Sequence, residues 1–341
     1  MNTRIIENVD ENALREAATI IKNGGLVAFP TETVYGLGAN ALADTAAKKV
    51  YEAKGRPSDN PLIIHLADAA DAEKYCITND VFYRLASLYM PGPITVILPK
   101  KSIIPDEVTG GLSTVAVRVP SNPIAHNLIA LSGCPIAAPS ANISGKPSCT
   151  TFRHVIEDMN GRIDMILNGG DCEIGLESTI VAINGNDLKL LRPGKITKES
   201  LESAGFSVSL DKAVTEKLSD GERPLAPGMK YRHYAPNADV ILVVGCDSDV
   251  EKYMFDRSDD SSVAFICFDE YRRLAKCKNA VFIGSECDLD QQARKIFDIL
   301  REFDSQPEIK TVYAKMPSQN GIGLAIYNRL LKAAGYRIIR I

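Results

Sequence analysis

Apolar positions recur along the first part of the chain in two different periods. Leu14, Ala17, Ala18 and Ile21 are spaced as one helical face, with Asp10 placed to cap its start and Gly24 to end it. Leu26–Phe29 is a short unbroken apolar run stopped by Pro30, and the same pattern returns at Leu62–Leu66, Ile94–Leu98, Val115–Val119, Ile136–Ala138 and Thr179–Ile183. Runs of this length suit strands covered on both faces. Helical spacing separates some of them, as at Asp44–Lys54, whereas others are only a hairpin's length apart. The mixture predicts a mixed twisted sheet with helices, α+β-like, rather than a regular alternation of strand and helix.

From about residue 211 to 236 the periodicity fades, and the run DGERPLAPGMKYRHYAP concentrates charge, Gly and Pro. It reads as a linker. Beyond it the pattern becomes regular, with strands near 239–245, 262–268, 280–284, 311–316 and 337–341. Between them lie helical faces such as Leu289, Ala293, Ile296 and Leu300, and Leu324, Tyr327, Leu331 and Ala334. Five strands with helical crossovers predict a small, doubly wound, Rossmann-like parallel α/β domain. The expected organisation is therefore α/β in two parts: a mixed-sheet domain over 1–210, a linker over 211–237 and a parallel-sheet domain over 238–341.

A length of 341 residues agrees with two domains, each able to bury a core. No run approaches the roughly 18 apolar residues of a membrane helix, and the N-terminus lacks a basic-then-apolar signal pattern, so the expected location is the cytoplasm. The net charge of −4 argues against a surface broadly attractive to nucleic acid, so any polyanion must be met in a pocket. Eight cysteines occur without a C-x-x-C pair, and the four histidines lie far apart with no H-E-x-x-H. Neither structural zinc nor a disulfide framework is expected, and no metal ligands are assigned.

Gly36-Leu37-Gly38-Ala39-Asn40-Ala41 satisfies the loose dinucleotide pattern G-x-G-x-x-G/A. Pro30 to Tyr35 separate it from the preceding strand, and the next helix starts only near Asp44, so it reads better as a turn. Just before it, Pro-Thr-Glu-Thr-Val-Tyr crowds hydroxyls and a carboxylate at a strand exit, although Glu32 alone reads as well as ordinary surface. In Ala53-Lys54-Gly55-Arg56-Pro57, Gly55 ends a helix and leaves Lys54 and Arg56 on a tight turn. Arg offers phosphate a planar fork and Lys a mobile point charge. Taken alone, Lys54 is equally well a cation at a helix C-terminus.

Pro139-Ser140-Ala141-Asn142-Ile143-Ser144-Gly145-Lys146 follows another apolar strand and offers hydroxyl, amide and backbone donors to an anion. An ordinary Asx or Ser turn accounts for it too. Arg118 interrupts an apolar strand, where an unpaired charge would cost several kcal/mol, so it needs a carboxylate from the protein or from a ligand. Ser178 and Arg192 stand at similar positions. There is no G-x-S-x-G elbow and no sign of a Ser-His-Asp triad.

Taken together, FPTETVYGLGANA, AKGRPSDNPLIIH, MPGPIT, VAVRVP, LESTIV, LLRPG and APGMKYRHYAP, in this order, resemble the YrdC-domain family and specifically its two-domain threonylcarbamoyl-AMP synthases. The family's K-x-R and S-x-N signatures stand as Lys54-Gly-Arg56 and Ser140-Ala-Asn142. The resemblance implies the conversion of L-threonine, bicarbonate and ATP to threonylcarbamoyl-adenylate and pyrophosphate. The product would pass to a separate tRNA threonylcarbamoyl transferase that modifies the adenosine beside the anticodon. By the same resemblance Lys54 and Arg56 are catalytic, and ATP falls to Lys54, Arg56, Asn60, Thr114, Ser140, Asn142, Ser148 and Arg192, with Mg2+ accompanying ATP. Threonine falls to Thr33, His65, Arg118, Ala138 and Ser178. Tyr231, on the linker, becomes a lid over the nucleotide. Without the resemblance His65 reads as a core histidine.

Two other readings stay open at this point: a double-stranded RNA-binding module, and a carbamoyl-adenylate-forming enzyme like domains of hydrogenase maturation factors. The acidic balance counts against the first, and the missing zinc-finger-like cysteine pairs count against the second.

Overall fold

A computed structural model describes residues 2–218, 224–229 and 233–341. The chain divides into two compact units. The first comprises Met1–Ser144, Ser148–Val214 and Leu218–Lys230, and the second Gly145–Pro147, Thr215–Lys217 and Tyr231–Ile341.

The first unit is built on one eleven-stranded sheet. In chain order its strands are β1 (Arg4–Ile6), β2 (Val27–Phe29), β3 (Gly36–Asn40), β4 (Ile63–His65), β5 (Ile94–Pro99), β6 (Thr114–Arg118), β7 (Ile136–Ala137), β8 (Met165–Leu167), β9 (Thr179–Asn184), β10 (Asp187–Arg192) and β11 (Val208–Leu210). Across the sheet they run β1-β8-β2-β3-β7-β4-β6-β5-β9-β10-β11. The sheet is mixed, as the uneven gaps between apolar runs predict: β4 is parallel to β6 and β5 to β9, while β7 is antiparallel to both β3 and β4.

Helix α1 (Glu11–Lys22) starts where the Asp10 carboxylate accepts a hydrogen bond from the Ala13 amide at 2.8 Å, a cap contributing about 1 kcal/mol. Helix α2 (Asp44–Lys54) stops because Gly55 takes the left-handed conformation, φ 62°, which costs a residue without Cβ nothing.

Period-two alternation then sorts the central strands onto two faces. One face carries Ile64, Val96, Val115, Val117 and Val181 into the main core, shared with Ala46, Ala47 and Val50 of α2. The opposite face has two separate apolar clusters. In one, Val27, Phe29, Ile136 and Ala138 pack against Leu14, Ala17, Ala18 and Ile21 of α1. In the other, Ile63, Ile97, Ala116, Ile180 and Leu191 are covered by Ala213, Ala226 and Met229.

The second unit holds a five-stranded sheet of β12 (Asp239–Val244), β13 (Val263–Cys267), β14 (Ala280–Phe282), β15 (Thr311–Lys315) and β16 (Ile338–Arg340). Its order is β14-β13-β15-β12-β16 and every pairing is parallel. The helix Leu289–Glu302 buries Ala293, Ile296, Phe297 and Leu300, the face its spacing predicts. None of the described helices is long and apolar enough to cross a membrane.

The segment from Gly36 departs from expectation. It is a strand, not a turn, and its glycines answer to packing. A Cβ on Gly38 would lie 2.7 Å from Phe29 Cε1 and 2.9 Å from Ile136 Cγ2, so the buried Phe29 ring occupies the space a side chain would fill. Gly38→Ala is therefore expected to destabilise the first unit by about 1–3 kcal/mol, the range for overpacking a core, read as a lower urea midpoint at unchanged slope.

Candidate active site

The two covering clusters leave a gap on their shared face, and polar side chains fill it. In sheet order the gap holds His65 on β4, Arg118 on β6 and Thr95 on β5, with Ser178 just ahead of β9. His65 and Arg118 are register partners, so they sit side by side at the spacing of neighbouring strands. All four are buried.

Arg118 finds its carboxylate within the chain. Its NH2 donates to Glu32 Oε1 at 2.7 Å, and each side chain is 5% exposed. Glu32 is thus not ordinary surface; the Pro30–Tyr35 segment directs it across the sheet onto β6. The contact is a single end-on bond rather than a two-bond fork. Among the described residues, Glu32 Oε2, Arg118 Nε and His65 Nδ1 are buried without a hydrogen-bond partner. Burial first, and then the charge of Arg118, push His65 down from 6.5 to about 3, so its imidazole is neutral at physiological pH.

The hydroxyls beside this pair have defined roles. Thr31 spends its proton on the Val34 carbonyl at 2.6 Å, so Thr33, whose Oγ1 is 2.8 Å away, is the donor between the two threonines and keeps its lone pairs. Ser178 Oγ lies 2.7 Å from Thr95 Oγ1, and Arg192 donates through NH2 to Ser178 Oγ at 3.1 Å and through Nε to its carbonyl at 3.0 Å. The loop after β10 presses against this turn: a Cβ on Gly194 would lie 2.6 Å from Thr179 N. Ser148 donates to Glu177 Oε1 at 2.5 Å.

The K-x-R and S-x-N segments meet through Lys54. Its Nζ donates to the carbonyl oxygens of Ser140 and Asn142, and its own carbonyl accepts from the Ser144 amide at 2.9 Å. At 1% exposure Lys54 is a fixed ammonium rather than the mobile point charge its position at a helix end suggests. Ser140 Oγ donates to Asn142 Oδ1, whose amide donates to the Ile143 carbonyl at 2.8 Å. Arg56, half-buried, curls over its own turn, donating to the Asn60 carbonyl at 3.3 Å and the Pro61 carbonyl at 3.1 Å.

A bridge between Gly36 and Ser140 ties the second loop to β3, and the Ala138 amide donates to the Ile63 carbonyl at 2.9 Å. The Ile63–Ala116 register puts Thr114 at the end of β6 nearest the Arg56–Pro61 turn. Thr114 and Arg118 therefore share one side of β6 but stand about 13 Å apart along it. The expected residues thus form two groups: Lys54, Arg56, Asn60, Thr114, Ser140 and Asn142 at one end, and Thr33, His65, Arg118 and Ser178 at the other, with Ala138 just after β7; Arg192 and Ser148, expected on the nucleotide, bond Ser178 and its neighbour Glu177 instead. Tyr231 lies outside the described residues.

Thr95 and Glu177 belong to the site without being expected there, and Glu32 is no ordinary surface residue. Thr95 carried a legible signal, being the one polar residue in its apolar run, as Arg118 is in its own. Glu177 carried none and Glu32 only its place among hydroxyls at a strand exit, because nothing local marks a loop carboxylate as buried.

Comparison with known proteins finds two family models in succession along the chain. A family described as "Telomere recombination", the Sua5/YciO/YrdC group, matches residues 19–194, and one described as "Threonylcarbamoyl-AMP synthase, C-terminal domain" matches residues 196–335. The chain is 44% identical to a threonylcarbamoyl-AMP synthase of Pyrococcus abyssi, over 98% of each chain. To that of Bacillus subtilis it is 41% identical, over 98% of this chain and 96% of the relative. Among solved structures, P. abyssi Sua5 complexed with L-threonine superimposes with a TM-score of 0.91 at 42% identity, covering 100% of this chain and 99% of the other.

The depressed His65 has a consequence for stability. The unfolded chain takes up a proton near pH 6.5 that the folded chain refuses until about pH 3, so the contribution is complete above 6.5 and is lost as pH falls through that window. His65→Asn should lose less stability than the unsubstituted chain between roughly pH 7 and roughly pH 4.5, measured by urea denaturation. Equal losses in both would show that His65 is protonated in the fold.

Proposed function

The chain belongs to the threonylcarbamoyl-AMP synthase family, and from that premise we propose that it converts L-threonine, bicarbonate and ATP to L-threonylcarbamoyladenylate and pyrophosphate. It is an ATP-using nucleotidyltransferase. The observation that carries the reading is the full-length match to enzymes of that name, both domains included.

The reaction asks for positioning and charge neutralisation more than for covalent catalysis. Threonine's amine, after losing its ammonium proton, adds to CO2 with release of a second proton, or to bicarbonate with release of water; a carbamate oxygen then attacks the α-phosphorus of ATP and the bond to pyrophosphate breaks. We assign the nucleotide to the group held together by Lys54. Lys54, with Arg56, sets positive charge against the phosphates, and Asn60, Thr114, Ser140 and Asn142 complete that group, while Ser148 and Arg192, which bond Glu177 and Ser178, would reach the nucleotide from the threonine end. Threonine is assigned to Thr33, His65, Arg118, Ala138 and Ser178, where Arg118 offers its carboxylate a guanidinium already fixed in place. Mg2+ would enter with ATP as part of the substrate, supply charge neutralisation of the phosphates, and ask little of the protein.

We keep residues 1–210 as the catalytic domain, 211–237 as a linker and 238–341 as the C-terminal domain. The linker would cover the site through Tyr231, limiting hydrolysis of a labile product. The packing of Ala226 and Met229 on the ligand-bearing face of the first unit supports a linker course near the site. The product would go to a separate tRNA threonylcarbamoyl transferase in the cytoplasm.

Pyrophosphate release from ATP should require both L-threonine and bicarbonate, and release indifferent to threonine would overturn the reading. Arg56→Ala should lower kcat/KM about 100-fold, as expected for removing a preorganised charge from the transferring phosphoryl group. Tyr231→Ala should change turnover or hasten escape of the adenylate, followed by hydrolysis of released product; unchanged kinetics would remove the lid.

A further inference from the structure

Three buried polar atoms lack a hydrogen-bond partner: an anionic acceptor, Glu32 Oε2, a cationic donor, Arg118 Nε, and a ring nitrogen, His65 Nδ1. Each belongs to a side chain at least nine-tenths buried. Their parent groups are adjacent, since Glu32 Oε1 bonds Arg118 NH2 at 2.7 Å and Arg118 is the register partner of His65. Leaving a buried charged atom unpaired is costly, so the site is built for something that pairs these atoms.

Charge chooses the class of molecule. A plain anion would satisfy Arg118 but meet repulsion from Glu32 Oε2, and a plain cation would do the reverse. One carrying both charges on neighbouring atoms, an α-amino acid zwitterion, satisfies the two together. The polarity of the Glu32–Arg118 bond also orients it, with the carboxylate on the guanidinium side and the ammonium on the Glu32 side.

We propose that Glu32 is the residue that receives the substrate's amino group, its Oε2 accepting from the ammonium while its Oε1 holds Arg118 ready for the substrate carboxylate. This deepens the threonine assignment and rests on it. Glu32 thereby positions the nitrogen that must take up the carboxyl group, and it makes the amine a requirement for tight binding rather than a bystander. The neighbouring Thr33 hydroxyl, its own proton spent on Thr31, adds lone pairs rather than a competing donor.

The test compares equilibrium binding of L-threonine with that of 3-hydroxybutyrate, which keeps the carboxylate and hydroxyl but has no amine. The full chain should prefer L-threonine by about 10- to 100-fold, the range of a charge-assisted hydrogen bond. In Glu32→Gln the amide oxygen can still accept from Arg118, but the second position becomes a donor. That preference should collapse to within about threefold through loss of threonine affinity alone, with ATP binding unchanged. Equal weakening of both ligands would mean that Glu32 only supports Arg118, and unchanged binding of both would mean that it faces neither; either result overturns the assignment. Should Glu32→Gln fail to fold, the unsubstituted chain still decides, because equal affinity for the two ligands excludes an ammonium contact. Failure of the unsubstituted chain to bind L-threonine would instead refute the functional reading and this inference with it. Threonine binding whose preference survives in Glu32→Gln refutes the inference alone.

Discussion

A buried ammonium must be met by oxygen, and the Lys54 ammonium is met by the backbone carbonyls of Ser140 and Asn142, more than eighty residues along the chain. That constraint fixes the end of α2 against the loop after β7 and so creates one site from two turns. Either turn alone has an ordinary explanation. The ammonium removes the freedom of both, and it holds them as a charged edge beside the sheet rather than as two mobile loops. Gly55 contributes by letting the chain reverse immediately after Lys54, so that Arg56 leaves in a different direction from the lysine beside it.

The sheet supplies the second half of the site by leaving part of one face without an apolar cover. On its other face the same strands present a largely apolar surface, which secures them. Alternation makes the two demands compatible, because Val115 and Val117 face the core while Ala116 and Arg118 face the other side, Ala116 under its apolar cover and Arg118 in the gap. Stability and function are thus assigned to opposite sides of the same few residues. Phe29 extends this logic, since its ring lies where side chains on Gly36 and Gly38 would otherwise be and comes edge-on to His65, with ring centroids 6.4 Å apart.

Electrostatics in the gap are held in reserve. Arg118 is paired, but end-on, and Glu32 is paired through one oxygen only. A neutral His65 beside them adds no third charge to be compensated. Burial thus preserves the binding capacity of these groups: water does not compete for them as it would at a surface, and a complementary ligand meets fixed partners instead of reorganising them. In the second unit the all-parallel sheet is the one its periodicity predicts.

The sequence alone determined the elements with strong local signals: α1 with its Asp10 cap, α2 ending at Gly55, the apolar runs of the central strands, and all five strands of the second sheet. It also marked Lys54, Arg56, Ser140, Asn142, Arg118, Ser178 and Arg192 as residues needing an explanation, though not the same explanation, and motif order supplied the family. Tertiary structure decided what depends on partners distant in the chain. The Gly36–Asn40 segment became a strand by pairing with β2 and β7, its glycines leaving room for Phe29 and Ile136, and the short strands β1, β8 and β11 likewise exist through pairing rather than periodicity. Glu32 became the partner of Arg118, 86 residues away, and Lys54 became immobile. Local periodicity reports which face of an element is buried; it carries no information about which charge lies across the sheet, and in this site the charges across the sheet set the chemistry.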